Sequence, residues 1–168
     1  MNSARIRGFD GLRALAFLLV FISHKAPSPL RDRYGTAGVW IFFVLSGFLI
    51  TRILAEARAG IDDGRSDFRL SLARFYVRRT ARIFPVYYAF LAVVTIAGLW
   101  GLVEVGGVAR QLSNWFYVSN IYIGLNGWET RLGHLWSLAV EEQFYLLFAP
   151  LALACPRRRL PALCFAIL

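Results

Sequence analysis

Lysine is almost absent from this chain. Lys25 is the only one, so the excess of 19 basic over 10 acidic residues, a formal charge of +9, is carried by arginine. Cysteine is nearly as scarce: Cys155 and Cys164 both lie near the end. Two such residues exclude a disulfide framework. The only histidines are His24 and His134, and no metal-ligand spacing repeats around them, so no metal is expected. There is no internal repeat and no low-complexity tract, which excludes a solenoid or a flexible linker. Charge of either sign makes up only 17% of the 168 residues, whereas 58% are hydrophobic. That balance excludes an ordinary soluble domain and points to several membrane spans. The arginines sit between apolar runs, so membrane topology explains them before nucleic acid does, and no nucleic-acid partner is expected.

The chain is organised around RGFDGLRALAFLLVFISH, Arg7 to His24. Its apolar core, Ala14 to Ile22, enters a bilayer, yet it is bracketed by Arg13 and His24. These two differ by roughly 20° around a helix and by about 16 Å along it, so they share a face. Arginine inside a span costs about 2.5–3.5 kcal/mol on insertion scales, which usually marks a protein interior or a wet cavity. The plain alternative is that Arg13 snorkels to the headgroups and His24 caps the helix. A signal peptide fits poorly, because Asp10 and Arg13 crowd the core and Ser23-His24-Lys25 is a poor cleavage site.

Four spans are expected, at about 12–24, 36–54, 86–103 and 135–155, with another starting at 160. The turn Ala26-Pro27-Ser28-Pro29 ends the first, and a polar loop, Arg31 to Tyr34, follows. Gly38, Ser46 and Gly47 in the second allow close helix packing. Between spans two and three, LSLARFYVRRTARIF reads as an amphipathic helix with Arg74, Arg78 and Arg82 along one face and Arg79 next to Arg82. Pro85 starts or kinks span three, and Tyr87 and Tyr88 suit an interfacial aromatic belt. LSNWFYVSNIYIG, within 101–133, is short for a span and reads as interfacial, re-entrant or packed against other helices. The chain stops within an apolar run and reads as the N-terminal part of a longer protein. Eight arginines lie between Arg52 and Arg82, and Arg157 to Arg159 follow span four, so these regions and the N-terminus should face the cytoplasm.

Glu141 and Glu142 are the second anomaly, because paired acids within a span are expensive unless neutralised. Glu141 and His134 lie on one side of a helix, seven positions apart. The arginines near Arg79 and Arg82 read equally as topology signals or as a bidentate phosphate clamp. Imidazole chemistry suits His24 to the role of general base or proton shuttle. A transporter or flippase, or a non-catalytic membrane scaffold, would also account for buried charge.

Four blocks in order narrow the choice: FDGLRALAFLLVFISH, GVWIFFVLSGFLITRIL, RFYVRRTARIFPVYY and GHLWSLAVEEQFYLLFAP. Together they resemble the N-terminal half of the membrane acyltransferase 3 family, bacterial integral-membrane O-acyltransferases. The resemblance implies an all-α polytopic fold of about ten spans in the cytoplasmic membrane. Residues 1–168 would be the first four to five spans of a single domain. It implies transfer of an acyl group, often acetyl, from acyl-CoA to a hydroxyl of a carbohydrate or similar acceptor, with no permanently bound cofactor and with membrane lipid as surroundings. Carried over, the essential first-span pair is Arg13 and His24, the RxxR pair is Arg79 and Arg82, and the acidic pair is Glu141 and Glu142. Arg78 joins the donor side, and His134, Trp136 and Ser137 the acceptor side. His24 would take the acceptor proton or carry the acyl group, Arg13 would stabilise negative charge, and a glutamate would orient His24 or the acceptor.

Overall fold

The computed structural model describes residues 8–23, 30–128 and 132–167, with side chains from Arg33 onward in the second stretch. All regular structure among them is helical: α1 (Phe9–Ser23), α2 (Leu30–Asp62), α3 (Phe68–Leu99), α4 (Val108–Trp115), α5 (Ser119–Asn126), α6 (Leu135–Ala154) and α7 (Leu160–Ile167), with one 3-10 turn, Arg157–Arg159. Among the described residues, three helices are long and apolar enough to cross a membrane, Arg33–Asp62, Phe68–Leu99 and Leu135–Ala154. α1, with 15 residues, falls short of the roughly twenty that a bilayer asks for. The expected turn Ala26 to Pro29 lies outside the described residues. Contacts divide the chain into two compact units, Met1–Ile53 and Leu54–Leu168.

In the first unit α1 runs along the start of α2, and glycine sets how close they come. A Cβ on Gly38 would stand 2.7 Å from the Ala16 carbonyl oxygen, and one on Gly35 2.9 Å from Ser23 Oγ. Farther along, Phe9 and Phe48 meet edge to face at 5.4 Å. Gly38 therefore packs as expected of a small residue in a span, whereas Gly47 faces open space. Gly38→Val should push α1 off α2 and lower stability by about 1–3 kcal/mol, read as a fall in melting temperature of the detergent-solubilised protein.

Both long helices exceed their expected spans. α2 takes in the segment expected to be a loop, Arg31 to Tyr34, and runs on through LAEARAGID, because polarity alone does not end a helix and alanine-rich sequence favours one. Gly64, at φ +68°, closes the turn after it. Asp67 then caps α3, its carboxylate accepting from Arg69 N at 2.9 Å and Leu70 N at 3.4 Å. The amphipathic stretch and span three form one helix that continues through Pro85. Its 32 residues measure about 48 Å, well beyond a 30 Å hydrocarbon core. It stops at Leu99 rather than Val103, where Gly101 at φ +70° turns the chain and Val105 folds back against Gly98.

The stretch 101–133 resolves into a helical hairpin. α4 runs back along α3: Thr95 Oγ1 donates to Gln111 at 3.5 Å, Tyr87 Oη to the Asn114 carbonyl at 2.7 Å and Tyr88 Oη to the Trp115 carbonyl at 3.2 Å. α5 returns beside α6. The hairpin tip thus sits level with Tyr87, twelve residues or about 18 Å from the end of α3. Tyr87 and Tyr88 belong to this interior contact rather than to an aromatic belt. Tyr87, Leu91, Tyr117, Leu132, Leu135 and Ala139 form a buried core between α3, the hairpin and α6.

Candidate functional site: a charged cluster between α3 and α6

α6 packs antiparallel to α3. Phe75 meets Tyr145 at 6.4 Å, Tyr76 Oη donates to the Leu146 carbonyl at 2.9 Å, and Phe90 lies 6.4 Å from the His134 ring. This register places the basic segment of α3 against the acidic segment of α6. The Arg79 guanidinium lies over the Tyr145 ring, its Cζ 4.5 Å from the centroid. Tyr145 is 1% exposed and its hydroxyl donates to the Glu141 carboxylate one turn earlier. Glu142 is half-buried and feels both the Glu141 carboxylate and the Arg79 guanidinium. Cation, ring and the Glu141 carboxylate thus form a continuous chain of contacts across two helices, with Glu142 beside it.

Arg82, one turn beyond Arg79, opens into a different space. With Ile83, Val86, Tyr87, Phe90, His134, Leu135 and Leu138 it lines an open groove of about 460 Å³. Arg82 and His134 mark its polar points, and apolar side chains fill the roughly 12 Å of helix between Arg82 and Phe90. Ser137 Oγ donates to the His134 carbonyl at 3.1 Å, closing the first turn of α6, and Trp136 is half-buried. Arg78, about 100° round the helix from Arg79, is exposed. So the fold brings Arg79, Glu141 and Glu142 together, and Arg82 with His134, while Arg78 stands apart. Arg13 pairs with Asp10 at 3.5 Å within α1. His24 lies outside the described residues.

Sequence reasoning missed the residues that fix the cluster's surroundings. The Gln143 amide donates to the Tyr117 carbonyl at 2.8 Å and to Asn120 Oδ1 at 3.0 Å, while Asn120 Nδ2 donates to Gln143 Oε1 at 3.0 Å. This paired amide docks the hairpin tip beside Glu142. The Tyr117 phenol is buried there, with Tyr87 and Glu142 nearby. The available signals were the four-residue spacing of Glu141 and Tyr145, and the amides Asn114, Asn120 and Gln143 set in apolar, aromatic sequence.

At the other end of this unit Arg58 donates to the Leu153 carbonyl at 2.7 Å and pairs with Asp62 at 2.8 Å. Asp62 also lines a hollow with Pro156, Arg157 and Arg158. The turns after α2 and α6 therefore share one basic end.

These features define an all-helical protein of the membrane type, with ionisable groups gathered between two apolar helices. The chain belongs to the acyltransferase 3 family: that family's sequence profile, described as an acyltransferase domain, matches residues 6–168. It is 37% identical over 153 residues to the peptidoglycan O-acetyltransferase OatA of Listeria monocytogenes, covering 85% of this chain and 23% of that protein. It is 36% identical over 150 residues to the O-acetyltransferase OatA of Staphylococcus aureus, covering 84% of this chain and 24% of that protein. A putative O-acetyltransferase of S. aureus strain COL is 37% identical over 157 residues, which cover 85% of this chain and 24% of the relative. The chain thus spans about a quarter of the length of these curated relatives. No solved structure matches it significantly.

Proposed function

We propose that the full-length protein is a membrane O-acyltransferase, moving an acetyl or similar acyl group from acyl-CoA to a hydroxyl of a carbohydrate. The observation that carries this reading is the Arg79–Tyr145–Glu141 chain with Glu142 beside it, charged groups held between apolar helices in a member of an acyltransferase family. Such groups are expensive in a bilayer and are functional by default. Relatives named as O-acetyltransferases, one of them acting on peptidoglycan, support a saccharide acceptor.

In this mechanism Arg82 holds a phosphate of coenzyme A, with Arg78 and Arg79 adding positive field. The pantetheine arm lies along the apolar walls of the groove toward His134. His24 is the final base for the proton that the acceptor releases as the ester forms, and Arg13 stabilises negative charge on donor or intermediate. Glu142 accepts a hydrogen bond from the acceptor hydroxyl and orients it, while Arg79 keeps the acid pair electrically balanced. His134, Trp136 and Ser137 border the acceptor. The test is whether full-length protein in lipid vesicles moves radiolabel from acetyl-CoA into an ester on an oligosaccharide. Labelled sugar that crosses the vesicle wall unacetylated would instead mark a transporter.

The protein sits in the bacterial cytoplasmic membrane with four spans in this region, α1 serving as the first, and with its N-terminus inside. The shared basic end formed by the turns after α2 and α6 supports that orientation. In intact cells a cysteine at Leu102 should react with an impermeant maleimide, and one at Asp63 should react only after permeabilisation. The reverse pattern would invert the topology.

A further inference from the structure

The tip of the α4–α5 hairpin holds several unfavourable groups together. Tyr117 has a backbone φ of +54°, the only non-glycine residue in the left-handed region among those described. A side chain with a Cβ is disfavoured there, and such residues gather at functional sites. The rest of Tyr117 is firmly fixed. Its ring stacks on Tyr87 at 4.3 Å and on Phe84 at 5.6 Å, and its carbonyl accepts from Gln143. Only the hydroxyl is left over. The residue is 8% exposed, and its Oη is enclosed without a hydrogen-bond partner among the described residues. Phenylalanine would keep every ring contact and remove the unsatisfied group, so packing gives no reason for a tyrosine. Oε1 of Glu142 is enclosed in the same condition, and Glu142 adjoins the Gln143 that docks the tip.

A carboxylate only accepts hydrogen bonds, and a protonated phenol has one to donate. An alcohol complements both at once, donating a hydrogen bond to the carboxylate and accepting one from the phenol on the same oxygen. We propose that Tyr117 is a further catalytic residue, its hydroxyl and the Glu142 carboxylate together binding the acceptor hydroxyl that becomes acylated. This rests on the O-acyltransferase reading above. No bond to Tyr117 forms or breaks; its hydrogen bond fixes the direction in which the acceptor oxygen presents its lone pair. Both groups are enclosed, so the acceptor enters only when the tip moves away from α6.

The test compares full-length wild type, Tyr117→Phe and Ser119→Ala in detergent, with labelled acetyl-CoA as donor and an N-acetylglucosamine tetrasaccharide as acceptor. Ser119 serves as the control because its Oγ is also enclosed without a partner, at the start of α5. Tyr117→Phe should melt no lower than wild type, yet lose about 10²-fold in kcat/KM for the acceptor, with KM for acetyl-CoA unchanged. Ser119→Ala should keep the wild-type rate. Wild-type turnover by Tyr117→Phe would overturn the proposal and leave the enzyme reading standing. A loss shared equally by Ser119→Ala, with lowered melting in both, would also overturn it by showing a structural role. Absence of any transfer by the wild type would remove the enzyme reading and this proposal with it.

Discussion

Glu142→Gln in the full-length protein should slow acyl transfer by about 10²–10⁴-fold while the protein still folds. Glutamine keeps the shape of the side chain and removes the charge. At a structural position it would be tolerated well, since Oε1 of Glu142 is enclosed without a hydrogen-bond partner among the described residues. An amide there has no fixed negative charge with which to orient an acceptor hydroxyl. Initial rates at saturating acetyl-CoA, set beside melting temperatures, separate the two roles. A variant that melts like wild type and transfers like wild type would remove Glu142 from the chemistry.

The second large effect belongs to Arg79. Arg79→Leu leaves Glu141 and Glu142 beside an aromatic, apolar surface without the cation that lies over Tyr145. Removing one partner of a fully buried ion pair costs about 3–5 kcal/mol; Arg79 and Glu142 are half-buried and interact without a direct ion pair, so about 1–2 kcal/mol is expected. Transfer should fall as well, because the acid pair loses its neutralising partner. Arg79→Lys should recover part of the stability and little of the stacking, since an ammonium lacks the flat face of the guanidinium. Thermal melting and transfer rates of both variants check this.

Much of this was legible in the sequence. The apolar run from Leu135 to Cys155 gave α6 to within one residue at its C-terminal end, and the resemblance to the acyltransferase 3 family is borne out. The spacing of Arg79 and Arg82 put them on one helix face, yet Arg79 meets Tyr145 while Arg82 opens into the groove. What spacing could not give is the neighbour that a helix face meets. Helical periodicity ranks residues around one axis, whereas the pairing of Arg79 with Tyr145 depends on the register between α3 and α6. The arginines therefore read as topology signals or a phosphate clamp, although Arg79 lies eleven positions inside a helix that begins at Phe68 and meets the Tyr145 ring. The α4–α5 hairpin was hidden for a related reason. Each helix has only eight residues, too few to carry a span signal, and the pair is held by hydrogen bonds distant in sequence, from Tyr87, Tyr88 and Gln143. The limits of α2 and α3 were missed because neither polar residues nor Pro85 ended the helices.

In the proposed mechanism Arg79 and Glu142 serve one reaction as one unit. A double-mutant cycle on acyl transfer tests this most directly, using full-length wild type, Arg79→Leu, Glu142→Gln and the double variant at equal folded concentration. If the two act together, the double variant should be no slower than the worse single variant. If the two losses multiply, or if neither single variant slows transfer, the claim is contradicted.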